Sequence, residues 1–432
     1  MKKVMLISPP FERFMGLSRF YYHIGLASLA AVIDKAGHDV LIYDTDYDPD
    51  GKMLSAKELM DNHCCYEKAL KDNSHPIWKE VIEIVTKYKP DIIGVTVLSV
   101  MLPSAKYLIA LLREICPDAM IFTGGVHATL CPEDLLELSD YVITNEGENV
   151  VLGVINGEYQ HGIVEGTRVT DLDALPFPAL EKLYHVEQYN KRDLSIVMSS
   201  RGCPNSCKFC NSYDIWKCKV TRKSTDYFVK EIKHLIADYG ITDFFITDDT
   251  FMCDEEWLCD FLEKIKPLNI TWRCFSRINT VNDRIIDQMI AAGCRNIKLG
   301  IESGSPRILK MINKQITVEE ILIADTILRK KNLKWSAYFI IGFPGETVDD
   351  IRCTQELIKQ ISASSITVNM YTPLPKNRLD RSAVDYKKHS FHSPNNNFTK
   401  CIDDTTMQKL LEETINLASR SYNEHLAEEC VE

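Results

Sequence analysis

The sequence predicts an α/β protein of two successive parts: an N-terminal doubly wound, Rossmann-like domain, then a partial (β/α)6 barrel of TIM type with a short helical C-terminal tail. Three observations predict it. Short apolar runs alternate with amphipathic stretches of helical spacing, twice over, along 432 residues. The runs are continuous, as in "DIIGVTVLS", which is how strands covered on both faces of a parallel sheet read. A proline-rich stretch, "DLDALPFPALEKL", separates the two series.

The first series opens with a strand at Val4–Ile7. Gly25–Gly37, "GLASLAAVIDKAG", has helical spacing and a glycine stop. "DVLIYD" is the second strand and Asp91–Ser99 the third. Between them, "CCYEKALKDNSHPIWKEVIEIVTKYKP" holds an inserted helix and a crossover helix. "SAKYLIALLREIC" is helical, "AMIFTGG" is the fourth strand, "EDLLELS" a short helix and "YVITNEGE" the final strand. The second series places strands at Leu194–Ser199, Asp243–Thr247, Thr271–Ser276, Asn296–Ile301, Trp335–Ile341 and Ile366–Tyr371, with helices between them. A barrel of this kind carries its chemistry at the C-terminal ends of its strands. The tail ends in a helix near Thr405–Ala427, with Met407, Leu410, Leu411, Ile415, Ala418, Tyr422 and Leu426 on one face. The expected division is 1–163, a linker at 164–192, a barrel at 193–375 and a tail at 376–432.

A net charge of −11 argues against broad contact with nucleic acid or an anionic membrane. No apolar run approaches the roughly 18 residues that cross a bilayer. The opening run "MKKVMLISPP" stops at a proline pair and reads as a buried strand rather than a signal peptide. Fifteen cysteines are therefore expected as thiols or metal ligands in a reducing cytoplasm, not as a disulfide framework.

Cys203, Cys207 and Cys210 crowd into "CPNSCKFC", with gaps of three and two residues, just past the first strand of the second series. Thiolates so spaced hold zinc or an iron–sulfur cluster. A zinc site short of a ligand, or free thiols, would read the same way. His234, the nearest downstream histidine, sits inside an amphipathic stretch. Three ligands on four irons would leave one iron open, and an open position marks a catalytic site. Cys253, Cys259, Cys274 and Cys294 have no ligand spacing and are expected as core thiols.

The motif resembles the CxxxCxxC signature of radical S-adenosylmethionine (SAM) enzymes, and the resemblance runs from about Leu194 to Tyr371. It implies a [4Fe–4S] cluster on Cys203, Cys207 and Cys210, an open iron that chelates SAM, and an external electron donor such as flavodoxin or ferredoxin. Further strand ends fit the resemblance. Asp248 and Asp249 stand where many members have Gly-Gly-Glu, a departure shared with the cobalamin-linked branch. Ser276 and Arg277 suit the methionine carboxylate. Glu302 and Ser303 suit the ribose hydroxyls, and Phe209 with the turn at Gly342, Pro344 and Gly345 suits the adenine. Each has a plainer alternative: a helix cap for Asp248, an ion pair for Glu302, a simple turn for the glycines.

The first series resembles a cobalamin-binding domain. "TVL", with Thr96 and Leu98, stands at its Ser-x-Leu. "GGVHAT", with Gly124, Gly125, His127 and Thr129, stands at its Gly-Gly, with twenty-five residues separating Leu98 from Gly124. Glu146 and Glu148 resemble the closing motif, and Pro10 and Gly25 join the expected contacts. The plainer alternative is a flavodoxin-like domain without a ligand. Where some members have Asp-x-His-x-x-Gly, this loop reads "SPPFERFMG". The resemblance therefore implies cobalamin with no histidine on its lower face; His23 lies well past the loop.

Across about Met1 to Tyr371 the chain resembles class B, cobalamin-dependent radical SAM enzymes. That implies a methyltransferase acting on a small molecule or natural-product intermediate, through a substrate radical that collects a methyl group from methylcobalamin. The alternative within the family is cyclisation or rearrangement without methyl transfer. A cobalamin sensor with a degenerate barrel, and a tRNA-modifying enzyme, fit the intact cysteines and the acidic charge less well. "YTPLPKNRLDRSAVDYKKHSFHSPNNN" departs from the family's Pro-Gly-Thr run and is expected to shape substrate choice, or to be a surface loop. Tyr338 and Tyr371 are expected in aromatic packing near the barrel strand ends.

Overall fold

A computed structural model describes the whole chain except residues 19, 20, 53, 55, 71, 381–383, 391, 392, 394, 395 and 430–432, and without the side chains of 56, 57 and 420–429. It divides into two compact units, Met1–Ile196 with Val384–Lys388 and Val197–Ala383 with His389–Glu432.

The first unit is built on a parallel sheet. Its strands are β1 (Lys3–Ser8), β2 (Asp39–Asp44), β3 (Ile92–Thr96), β4 (Met120–Gly124), β5 (Tyr141–Thr144) and β6 (Gly162–Glu165). They run in the order β2-β1-β3-β4-β5-β6. The order reverses between β1 and β3, and ligands of doubly wound sheets sit outside the strand ends at such a switch point. Every residue of β3 is buried, as its unbroken apolar run requires. The crossover helix Pro76–Tyr88 starts on His75, whose ring accepts from Ile77 N, with proline at the first position. It stops at Lys89, in the left-handed region at φ +54°.

Three details differ from expectation, each for a local reason. The helix placed on "EDLLELS" lies earlier, at Val126–Leu130, and gives way to a short 3-10 turn at Pro132–Asp134. Cys131 precedes a proline, which pushes it out of the helical region, to φ −138° and ψ 64°. The strand on "YVITNEGE" ends at Thr144, because Asn145 takes φ +59°. A sixth strand, β6, then pairs with β5. The proline-rich stretch lies against the other edge of the sheet: Tyr184 N donates to the Ile42 carbonyl at 2.8 Å.

The second sheet comprises β7 (Ile196–Val197), β10 (Asp243–Ile246), β11 (Thr271–Ser276), β12 (Cys294–Glu302), β13 (Lys334–Ile341) and β14 (Ser365–Met370). Its strands follow in sequence order and β14 is not paired back to β7, so the barrel is partial. The first barrel strand is shorter than expected. Ser200–Arg201 (β8) leaves the array to pair antiparallel with Thr221–Arg222 (β9), which brackets the cysteine loop. Helix starts are encoded locally. Thr317 with Glu320 and Thr347 with Asp350 form capping boxes for the helices Val318–Lys330 and Val348–Gln360. The tail helix spans Asp404–Glu429 and buries Met407, Leu410, Leu411 and Ala418. Tyr422 and Leu426 fall outside the described side chains.

Candidate active site

The cysteine loop is hung on one buried carboxylate. Asp248 follows β10 and is fully buried. Its Oδ1 accepts from Ser199 N at 2.7 Å, and its Oδ2 from the Ser199 and Ser200 hydroxyls at 2.5 Å each. Arg222 stands 3.8 Å from the same oxygen and lies over Trp257. Asp248 thus sets where the chain leaves β7. The next residues carry the loop's polar contacts: Ser212 Oγ donates to Asp249 Oδ2 at 2.8 Å, and Thr250 Oγ1 lies 3.3 Å from Cys203 Sγ.

Each of the three sulfurs has a polar neighbour able to donate. Asn205 Nδ2 donates to Cys203 Sγ at 3.3 Å, Arg277 Nη1 to Cys207 Sγ at 3.3 Å, and Ser212 N to Cys210 Sγ at 3.4 Å. Burial pushes the Cys210 thiol up to about 12, with Asp249, Cys207 and Cys203 adding negative charge nearby. A thiol so placed stays protonated on its own, whereas a bound cation would ionise it. Donors aimed at sulfur are what a thiolate-bound cluster uses, so these residues fit an iron–sulfur group. Among the described residues no three His, Cys, Asp or Glu side chains already stand at metal-holding geometry.

Beyond the loop, Arg277 is buried at the end of β11. It also donates to the Lys314 carbonyl, and its Nε has no partner. Ser276 Oγ lies 3.0 Å from Thr280 Oγ1. Glu302 ends β12 in the left-handed region, at φ +71°, and pairs with Lys314 Nζ at 2.7 Å. A non-glycine residue held there at a strand end is the kind of strain that collects at functional sites. Ser303 is fully buried and receives Ser305 N.

Gly342 and Gly345 take φ +89° and +75° around the partly buried Pro344. The buried Glu346 closes that turn. Its Oε2 accepts from Gly342 N and from Phe343 N, and its Oε1 has no partner. Burial raises this carboxyl to about 8. Phe209 lies with its ring centroid 5.9 Å from that of Phe343, and Phe343 packs on Tyr371 at 5.2 Å. The structure therefore brings Cys203, Cys207, Cys210, Asp249 and Arg277 together, and joins Phe209 to the glycine turn through Phe343. Asp248 stands behind the loop as its anchor.

Sequence reading missed Thr250, Ser212, Lys314 and Arg378. Arg378 Nη2 donates to the Cys207 carbonyl at 2.7 Å. Thr250 and Ser212 adjoin residues that were singled out, whereas Arg378 and Lys314 carry no local signal. Of the thiols expected in the core, Cys274 and Cys294 are buried and adjoin each other, and Cys253 accepts from Arg222 at 3.1 Å. Tyr338 accepts from Lys298 Nζ.

In the first unit, Gly125 takes φ +97° and ψ −172°, a conformation open only to glycine. A Cβ there would meet Thr96 Oγ1 at 2.9 Å and the Val97 carbonyl at 3.0 Å. This glycine is therefore required by the chain's own β3 end, before any ligand is considered. His127 is buried, with Ser99 Oγ on Nδ1 at 3.0 Å and Asp134 Oδ2 on Nε2 at 3.1 Å. Burial lowers its pKa. Thr129 Oγ1 receives Asn145 N, and Glu146 Oε2 receives Val169 N. His23 caps the helix Ile24–Lys35 through Leu26 N. Gly25 is exposed beside the His23 ring, Pro10 is buried, and Leu98, Gly124 and Glu148 are half-buried. Thr96, Leu98, Gly124 and Gly125 share the C-terminal ends of β3 and β4, next to the switch point.

Among the described residues no helix is long and apolar enough to cross a membrane. The radical SAM superfamily model matches residues 197–358, and the B12 binding domain model matches 18–155. An uncharacterized methyltransferase, PH0819, of Pyrococcus horikoshii is 28% identical over 88% of this chain and 83% of its own length. Cytidylyl-2-hydroxyethylphosphonate methyltransferase of Streptomyces wedmorensis is 24% identical over 89% of this chain and 82% of its own length. The radical SAM methyltransferase TsrM of Kitasatospora setae, solved with tryptophan and a SAM analogue, shares the fold. Its TM-score is 0.63 at 17% identity, over 86% of this chain and 75% of that one. With a B12-binding unit followed by a radical SAM barrel that carries its three-cysteine loop, the chain belongs to the cobalamin-dependent radical SAM enzymes, whose cofactors are a [4Fe–4S] cluster, SAM and cobalamin.

Proposed function

We propose that this chain is a class B methyltransferase that adds a methyl group to an unactivated centre of a small molecule or natural-product intermediate. It would work in the cytoplasm and draw electrons from a flavodoxin or ferredoxin. The observation that carries the reading is the donor-ringed cysteine loop on Asp248, in a chain that also has a B12-binding unit. Two relatives named as methyltransferases, each aligned over more than four-fifths of both chains, support the methyl-transfer outcome.

Cys203, Cys207 and Cys210 would hold the cluster. SAM would lie among Phe209, Asp249, Ser276, Arg277, Glu302, Ser303 and the turn at Gly342, Pro344 and Gly345, with Asp248 acting from behind. Cobalamin would take Pro10, Gly25, Thr96, Leu98, Gly124, Gly125, His127, Thr129, Glu146 and Glu148. When bound, the cluster and SAM supply a 5′-deoxyadenosyl radical and cobalamin supplies the methyl group. The chain's own part is placement. The unpartnered Nε of Arg277 offers a buried donor for an anion. Phe209 and Phe343 form an apolar wall, and Glu346 fixes the shape of the glycine turn through Gly342 N and Phe343 N. Ser99 and Asp134 hold both nitrogens of His127, so that ring orients its turn and cannot reach a metal.

The test is anaerobic turnover with methyl-deuterated SAM and a small-molecule extract. Each turnover should consume two SAM, yielding one S-adenosylhomocysteine, one 5′-deoxyadenosine with methionine, and a product carrying the labelled methyl. Deoxyadenosine without matching S-adenosylhomocysteine would refute methyl transfer in favour of cyclisation or rearrangement.

A further inference from the structure

Two arginines from different elements meet at the middle cysteine. Arg277, past β11, donates to Cys207 Sγ at 3.3 Å. Arg378, in the segment after β14, donates from Nη2 to the Cys207 carbonyl at 2.7 Å. Its guanidinium lies over the Tyr213 ring at 4.2 Å, just beyond the cysteine motif. Beside it, Asn211 Nδ2 donates to the Pro375 carbonyl at 2.8 Å, so the segment is fastened to the loop at two points. Both guanidiniums contact neutral groups: a thiol, two carbonyls and a phenol ring. Among the described residues neither is paired with a carboxylate. The Nε of each is buried without a partner.

Arg277 is buried and Arg378 half-buried, and a cationic group so withdrawn from water without a counter-charge is costly unless it faces negative charge. Thiolates carrying a cluster provide that charge. Reduction adds one more electron, so positive charge and sulfur-directed donors favour the reduced form and raise the potential. Screening is weakened at the buried Cys207, which lets a charge act through the carbonyl it holds. Arginine suits this place because its planar fork stacks and donates at once, which lysine cannot do.

We propose that Arg378, together with Arg277, is a positioning residue that holds Cys207 under two unneutralised positive charges and thereby raises the reduction potential of the cluster. This rests on the cluster reading above. It makes the segment after β14 part of the electronic environment of the cluster as well as a wall of the site.

The experiment uses the full chain, reconstituted anaerobically, as wild type and as Arg378→Gln, Arg378→Lys and Arg378→Ala. Iron and sulfide are counted, and the midpoint is read by electron paramagnetic resonance during titration with dithionite. Arg378→Gln keeps a donor without charge. It should hold wild-type iron yet take up its electron about tenfold less readily, about 59 mV lower for a one-electron couple. Arg378→Lys keeps the charge without the stacked fork and should fall clearly less than the glutamine variant, and Arg378→Ala should match or exceed the glutamine shift. An unmoved midpoint in Arg378→Gln overturns the proposal. So does a lysine variant that falls as far as the glutamine one, or iron loss with an unmoved midpoint in the remainder, which is what a plain structural clamp would give. A wild-type chain that binds no iron would instead defeat the cluster assignment itself.

Discussion

Lys314 closes a 2.7 Å ion pair onto Glu302, with the two side chains only 5% and 10% exposed. The Lys314 carbonyl in turn receives Arg277, so one residue links the ends of β11 and β12. Removing one member of a buried pair leaves an uncompensated charge, at a cost of about 3–5 kcal/mol. Lys314→Met should therefore lower the stability of the second unit by roughly that amount in urea unfolding. It should also weaken SAM binding measured by calorimetry, because Glu302, proposed to meet the ribose, loses the side chain that holds it. A loss below about 1 kcal/mol would mean that the pair is solvated.

Replacing Cys203, Cys207 and Cys210 together with alanine should abolish both iron binding and reductive SAM cleavage. Cys294→Ala should leave cleavage intact. Iron retained at wild-type level in the triple variant would refute the ligand assignment.

Glu346 gives the second unit a pH signature. Its folded carboxyl sits near 8, above the ordinary glutamate range, because of burial. A raised folded pKa means that the native state holds a proton the unfolded chain has released. The stabilisation is fully present below about pH 4.5 and is lost as pH rises through 8. Glu346→Gln keeps an acceptor for Gly342 N and Phe343 N without the charge. Across pH 5 to 8 the variant should gain on wild type by at most about 1.4 kcal/mol per pH unit. Parallel stability curves for the two proteins would exclude the effect.

Gly125→Ala meets both a forbidden backbone region and the Thr96 hydroxyl. It should cost about 1–3 kcal/mol, read as a lower Tm of the first unit, and should reduce the cobalamin retained after gel filtration. Gly157→Ala, where a Cβ meets nothing within 4 Å but φ is also positive, separates backbone strain from crowding: it should cost less and leave cobalamin bound.

Bound cobalamin should show no protein nitrogen on its lower face. The loop after β1 has no histidine, His23 caps a helix and His127 has both nitrogens engaged. The Co(II) spectrum should lack histidine hyperfine splitting, and His127→Ala should leave it unchanged. Splitting that vanishes in that variant would contradict the assignment.

Much of this was legible because the relevant signals are local. Continuous apolar runs gave the parallel strands, since strands such as β3 are buried on both faces. The cysteine triplet and the glycine turns announce themselves within a few residues. What stayed hidden is long-range. Asp248 reads as a strand-end carboxylate, and only the fold reveals that Ser199 and Ser200 consume its oxygens from 49 and 48 positions away. Arg378 reaches Cys207 across 171 positions. Backbone exits were also hard to read. Asn145 at positive φ and Cys131 before a proline moved element ends by several residues.

The cysteine loop is held at its entry by Asp248, in its middle by Asn313 on Ser206 and by Lys208 N on the Ile312 carbonyl, and at its exit by Asn211 on Pro375. None of these ties involves a metal. Small zinc modules unfold when stripped because the ion is their core, whereas this loop is tied to the barrel by protein bonds at its entry, middle and exit. The socket should therefore outlast its contents: a chain stripped of iron by a chelator should keep its fold, losing only the melting temperature that the bound cluster itself contributes.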